Sequence, residues 1–389
     1  MTLPNDAIDL IRRLPFGIKS DPVNSYDLVE LWRKIPKKDL SQEEFLSLWD
    51  DLWSSFVTNT KDDPIESRSL NFAINDSGGK MVESLISYLW PKDAKVGSGL
   101  PAALTERVEK ICDRANQNRL DVSSVIVISR LSIFHAVDPN FTEARLIPLL
   151  NWNTHNYAAD YWDAYLWYGR LTPDLFKAIE EYFYEALNRQ GSLQEEAYKK
   201  LNQMFVLASM DMSAVEQDNI SYVLRNANIS QLEYMSAYIR QRSLNSNAES
   251  KSFWTKTLMP WLDTYWPRDQ AKRSEKISEN LVLASLYSGE FFPTALKWLE
   301  DNHLVMELPT CSMILSALRE RDDSFHEDFA NSYSLPERFP YEVLRLLYVT
   351  KPFRWDHGEA RRILNRLIAS NEALCASQMY MDLDMLVQA

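Results

Sequence analysis

The residues most able to do chemistry sit in a few short segments. Asn75-Asp-Ser-Gly-Gly-Lys80 places two glycines and a lysine ahead of an apolar run. A glycine turn at a helix N-terminus can hold an anion, because its N–H groups and the helix dipole both present positive charge. The segment is not a phosphate loop. The G-x-x-x-x-G-K-[ST] spacing is missing, Met81 stands where a hydroxyl residue is required, and no strand precedes it. A plain turn with a lysine at the helix start is the alternative. His326-Glu327 begins like a zinc-protease helix, but the second histidine is due at position 330, which is Ala330. Asp356-His357-Gly358-Glu359 reads either as a metal-binding fragment or as a helix start capped by Asp356 and running through Arg361.

The most unusual stretch is 155–169, His155-Asn-Tyr-Ala-Ala-Asp-Tyr-Trp-Asp-Ala-Tyr-Leu-Trp-Tyr-Gly169. On a helix, Tyr157, Tyr161, Ala164, Tyr165 and Tyr168 share one face, widened by Trp162 and Leu166. Asn156, Asp160, Asp163 and Trp167 form the opposite stripe, at steps of four, three and four. Trp167 is therefore an aromatic on a polar face. It is either a partner-contact residue, since tryptophan is over-represented among binding hot spots, or a ring packed on a neighbouring helix. Asn156, Asp160, Asp163 and Trp167 are the candidate partner-binding set. A cavity gathering His155, Asp160 and Asp163, or His357 and Glu359, with mutually perturbed titration would instead indicate an enzyme. The five histidines are scattered, and neither G-x-S-x-G nor G-x-G-x-x-G occurs. The residues name no catalytic group, cofactor or metal ligand, and the expectation is a non-enzymatic chain.

The elements that position these residues are helices. Phe45, Leu48, Trp49, Leu52, Trp53 and Phe56 make one stripe at steps of three and four, behind a Ser41/Glu44 capping box. Thr172 and Pro173 open a second helix with Phe176, Ile179, Tyr182, Phe183, Ala186 and Leu187 on its apolar side. Further S-x-x-E starts stand at Ser192/Glu195, Ser230/Glu233, Ser246/Glu249 and Ser334/Glu337. Val122-Ser-Ser-Val-Ile-Val-Ile128 is rich in β-branched residues, yet its flanks continue a helical pattern, so it reads as a buried helix. Glycine numbers only 9, where average usage would give about 27. The expected fold is all-α: a helical array or α-solenoid of stacked antiparallel pairs, HEAT- or TPR-like without a strict repeat consensus. Ser87-Tyr-Leu-Trp-Pro-Lys-Asp93 echoes Asp263-Thr-Tyr-Trp-Pro-Arg-Asp269, each placing Trp-Pro at a helix end. The expected division is 1–60, 61–245 and 246–389, acting as one continuous body.

The net charge of −13 disfavours nucleic acid as a partner. The three cysteines, Cys112, Cys311 and Cys375, lie far apart in apolar contexts and read as buried or half-buried thiols of a reducing cytoplasm. The N-terminus lacks a basic region followed by an apolar core, and the run Val125–Ile128 is far too short to span a bilayer. No membrane association is expected.

Several segments resemble the helical C-terminal region of bacterial sirtuin-like antiphage defence proteins. They are Leu70–Leu85, Gly99–Arg107, Ser129–Phe134, Phe141–Trp152, Tyr161–Trp167, Trp261–Pro267 and Phe339–Leu347. In that family an N-terminal sirtuin-like domain hydrolyses NAD and the helical region senses phage components or regulates the enzyme. The resemblance implies a sensor or scaffold whose partner is a phage protein or a sirtuin-like effector, with self-association also open. The NAD-binding glycine loop and catalytic Asn/His core of the family's enzyme domain are absent from these residues, so no catalytic residue carries over. A generic helical scaffold without a defence role and an enzyme with a site in a helical groove are the competing readings.

Overall fold

A chain short of glycine and striped at three- and four-residue steps has one economical way to bury its rings, and it takes it. The computed structural model describes residues 29, 32, 40–59, 68–113, 120–154, 157–246, 250–308, 313–319, 332–351 and 357–388. Among them every regular element is helical and none is a strand, making an all-α helical array. No helix of the described residues is long and apolar enough to cross a membrane. The chain forms two compact units, Met1–Leu201 and Asn202–Ala389. That division falls elsewhere than the boundaries at 60 and 245 suggested by composition.

Among the described residues of the first unit the longer helices are α1 (Gln42–Asn59), α2 (Leu70–Asn75), α3 (Ser77–Leu89), α4 (Ala102–Cys112), α5 (Leu120–Ile128), α6 (Leu131–Val137), α7 (Ala158–Tyr168) and α8 (Pro173–Leu187). The division falls within α9 (Glu195–Val206). The centre is α5, which packs against α2, α3, α4 and α7. Val122–Ile128 is wholly buried, so the β-branched run is a helix, as its flanks indicated. A helix wrapped on all sides has no polar face to keep. The six stripe residues of α1 are buried, and the capping box forms in both directions: Ser41 N–H donates to Glu44 Oε2 at 3.1 Å and Glu44 N–H to Ser41 Oγ at 3.2 Å. Indole N–H groups tie the layers together, with Trp49 donating to the Met81 carbonyl at 3.0 Å and Trp162 to that of Leu150 at 3.0 Å.

The second unit continues with α10 (Gln217–Asn226), α11 (Ile229–Asn245), α12 (Met259–Tyr265), α13 (Glu275–Leu286), α14 (Phe292–Asp301), α15 (Met313–Leu318), α16 (Leu335–Arg338), α17 (Pro340–Thr350), α18 (His357–Ser370) and α19 (Gln378–Gln388). Here α13 is central, packed on α11, α14 and α15. Arg366 of α18 joins three elements, reaching Glu337 of α16 at 2.6 and 2.8 Å and the Leu318 carbonyl of α15 at 2.6 Å.

The Trp-Pro echo is a matched pair of helix ends. Trp90 closes α3 at φ −63°, ψ 126°, and Trp266 closes α12 at φ −65°, ψ 130°; each donates its N–H to the carbonyl four residues back. Among the described residues, π-helical turns stand at Thr142–Leu146, Leu207–Asp211 and Trp254–Leu258. In each, the N–H that closes the turn reaches back five residues.

Candidate functional site

The glycine turn ahead of α3 is structural. The side chain of Asp76 occupies the helix N-terminus, accepting from Gly78 N–H at 2.7 Å, so a carboxylate already fills the place an anion would take. The two glycines permit close packing. A Cβ on Gly79 would run into the carbonyl of Ala73, and one on Gly78 would stand 2.6 Å from the Phe56 ring. His357 and Glu359 do not form a metal site. His357 Nδ1 lies 3.3 Å from the Val387 carbonyl, and buried Glu359 pairs with Arg362 at 2.7 Å. No His/Cys/Asp/Glu group able to hold a metal occurs among the described residues. His326, Glu327 and Asp356 lie outside them, as do Cys311 and the Ser246/Glu249 start, whose Glu249 is not described. Of the other cysteines, Cys112 is buried as expected, but Cys375 is exposed on a short 3-10 turn.

The stretch from 155 is different. Tyr161, Trp162, Ala164, Tyr165 and Leu166 are buried on α7, and Ser124 and Tyr161 share a hydroxyl–hydroxyl bond of 2.7 Å that anchors the helix to α5. Tyr168, expected on that face, is exposed, because the helix ends at Gly169 immediately after it. Asp160, Asp163 and Trp167 take the other side as predicted; Asn156 and His155 lie outside the described residues. Trp167 is 61% exposed, so most of its surface stands clear of the neighbouring helices.

Asp163, Trp167 and Tyr168 line a cavity of about 860 Å³ whose other walls are α2 and the start of α9. The geometry at Asp163 was not legible in the sequence. The Ser192/Glu195 pattern suggested that α9 caps itself. The N–H of Gln194, just before the helix, donates across to Asp163 Oδ1 at 3.1 Å and Oδ2 at 3.4 Å. Burial raises the Asp163 carboxyl from its ordinary value to about 7, against the lowering effect of the Gln194 hydrogen bond and with a further push from the charge of Asp160. Asp160 is raised too, by burial first, with Arg68 pulling the other way. The Arg68 guanidinium lies 3.6 Å from the centre of the Tyr157 ring. The cavity thus joins an acid poised near neutrality to two exposed aromatic rings.

A second cavity of about 690 Å³, in the second unit, is bordered by the π-helical turns at Leu207–Asp211 and Trp254–Leu258. Two of its charged residues, Asp211 and Arg242, answer each other. Asp211 accepts from Tyr238 O–H at 2.8 Å and lies 3.4 Å from Arg242 Nε, while Arg242 stands 4.7 Å from the Phe253 ring centre.

No family model matches the chain, and no solved structure matches it. The chain is similar to an uncharacterized protein, y4cA, of Sinorhizobium fredii (strain NBRC 101917 / NGR234). The two are 21% identical over 351 residues, covering 85% of this chain and 27% of that protein. The chain therefore spans about a quarter of the length of that curated relative.

Proposed function

We propose that this chain is a non-catalytic helical recognition module, and that it docks a protein partner in the cavity between α2, α7 and the start of α9. The observation that carries the reading is Trp167, a large ring held 61% exposed at the rim of a cavity rather than packed away. Exposing an indole forgoes burial that would otherwise stabilise the fold, and tryptophan is among the residues most enriched in binding hot spots. The match to roughly a quarter of a much longer relative supports a module working beside other parts. The resemblance to the helical region of sirtuin-like antiphage proteins gives the setting: a bacterial, cytoplasmic sensor that binds a phage protein or an effector and biases an NAD-depleting domain not present in these residues. Such a sensor acts by population shift, the partner binding one arrangement more tightly than another.

The test is affinity capture from phage-infected and uninfected lysates with the native chain and with Trp167→Ala. A stoichiometric phage or sirtuin-like protein retained by the native chain and lost by the variant supports the reading. Capture indifferent to Trp167, or a blank in both lysates, counts against it.

A second reading rests on Asp163. An acid near 7 in a cavity, coupled to Asp160, is suited to general acid–base catalysis. That enzyme would lose turnover in Asp163→Asn while keeping any Trp167-dependent partner.

A further inference from the structure

Two kinds of group that together recognise organic cations meet in the cavity beside α7. Asp163 and Trp167 are one helical turn apart, which sets their Cβ atoms about 5–6 Å from each other, and both line the cavity. The Gln194 N–H is a single neutral donor bonded to Asp163. A carboxylate offers about four lone-pair positions, so acceptor capacity remains.

The charged groups around Asp163 come from α7, from the residue ahead of α2 and from α9. On α7 itself Asp160 is a like charge. Ahead of α2, Arg68 is held over Tyr157 and acts on Asp160; the residues of α2 that line the cavity carry no charge. On α9, Glu196 and Lys200 complete the lining, so its carboxylates outnumber its ammonium groups by two to one. Glu196 has a cation of its own in Lys199 at 3.4 Å.

We infer that this cavity takes the cationic side chain of an arginine or lysine carried on a segment of a protein partner, with the Asp163 carboxylate as counter-ion and the Trp167 indole against its flat face or methylene stem. The inference rests on the docking reading above and commits it to one kind of occupant. Charge complementarity selects that occupant. An apolar anchor would leave Asp163 beside Asp160 with no cation acting on it, although Lys200 lines the same cavity, a state the carboxyl avoids by keeping its proton. A cation reverses that balance, and the indole face adds attraction through its quadrupole. Entry of the cation therefore releases a proton when the free protein holds one.

The experiment uses the full chain labelled with 5-fluorotryptophan, the Trp167 resonance being assigned through Trp167→Phe. The probes are acetyl-Leu-Arg-Leu-amide, its citrulline counterpart, which keeps the shape without the charge, and N-acetyl-arginine amide. The arginine tripeptide is expected to shift the Trp167 resonance, with the citrulline probe about tenfold weaker or worse. Binding of the arginine probe should weaken between about pH 8.5 and about pH 5.5, as Asp163 takes up its proton. Asp163→Asn should reduce the arginine probe to the citrulline level and remove the pH dependence, while Asp163→Glu retains the preference. Tighter binding of the tripeptide than of N-acetyl-arginine amide identifies a side chain on a segment; equal binding overturns the protein source. Equal response to the arginine and citrulline probes, indifference to Asp163→Asn, or no response to any probe at millimolar concentration overturns the cation. The docking reading fails separately, through partner capture that ignores Trp167→Ala.

Discussion

Asp163 in the first unit and Asp211 in the second are half-buried aspartates beside cavities in helical arrays, and they end up as different chemical objects. Asp211 has a phenol at 2.8 Å and a guanidinium nitrogen at 3.4 Å. Its charge is spent on holding α11 to the π-helical turn, and the Tyr238 phenol is pushed above its ordinary value, by burial first and by Asp211 second. Asp163 has a backbone N–H and a like-charged neighbour. Burial is of the same order in both, so the difference lies in the partners. A carboxylate given a cation becomes a strut; one given only a neutral donor stays available to a proton or to an incoming charge.

The largest expected effect would break the frame behind the first aspartate. Gly79→Ala drives a methyl into the Ala73 carbonyl of α2, a wall of the cavity. Backbone cannot yield as a flexible side chain does, so denaturant unfolding should show a loss of about 3 kcal/mol or more. Next comes the strut. Asp211→Ala leaves the Tyr238 hydroxyl and Arg242 without their shared acceptor and should cost about 1–3 kcal/mol by the same measurement.

Asp163→Asn should act in the opposite direction, and only at high pH. The folded carboxyl titrates near 7 against an ordinary value of 3.8, so the folded state prefers the protonated form. Its favourable contribution is complete below about pH 4 and is lost as pH rises through 7. Asparagine keeps an acceptor for Gln194 and never ionises. The variant should match the native chain at about pH 4 and exceed it at about pH 8.5, by on the order of 1 kcal/mol once solvent screening is allowed for. Thermal unfolding across that range checks the sign, and a variant less stable at high pH would overturn it. The smallest effect on folding belongs to Trp167→Ala, within about 0.5 kcal/mol, whereas its effect on partner affinity should exceed about 1 kcal/mol.

Local order was legible wherever one residue's neighbours along the chain decide its fate. The α1 stripe, the Thr172 cap at 3.2 Å from Leu175 N–H and the buried Val122–Ile128 helix all follow from spacing. The polar side of α7 did too, down to Trp167. Caps were less legible, because several residues compete for one helix end. Ser230/Glu233 was expected to open α11, yet Asn228 and Gln231 form the box two residues earlier, and Glu233 instead accepts from Ser274 at 2.8 Å. Ser334 makes no side-chain cap, and Glu337 goes to Arg366. The poise of Asp163 was invisible, because it depends on Gln194, distant in sequence, and on the depth at which α9 meets α7.

The π-helical turns have a consequence for how such a chain can change its length. One residue added to an α-helix swings everything beyond it through about 100° and turns buried faces outward. A turn closed five residues back instead of four absorbs that surplus on the spot. Thr142–Leu146 stands directly before Ile147–Leu150, whose last carbonyl receives the Trp162 indole. A single-residue deletion there can be met by tightening one turn, leaving the register of Leu150 against α7 as it was. Each of the described turns is thus a place where a one-residue insertion or deletion can be absorbed locally, without turning the buried faces on either side.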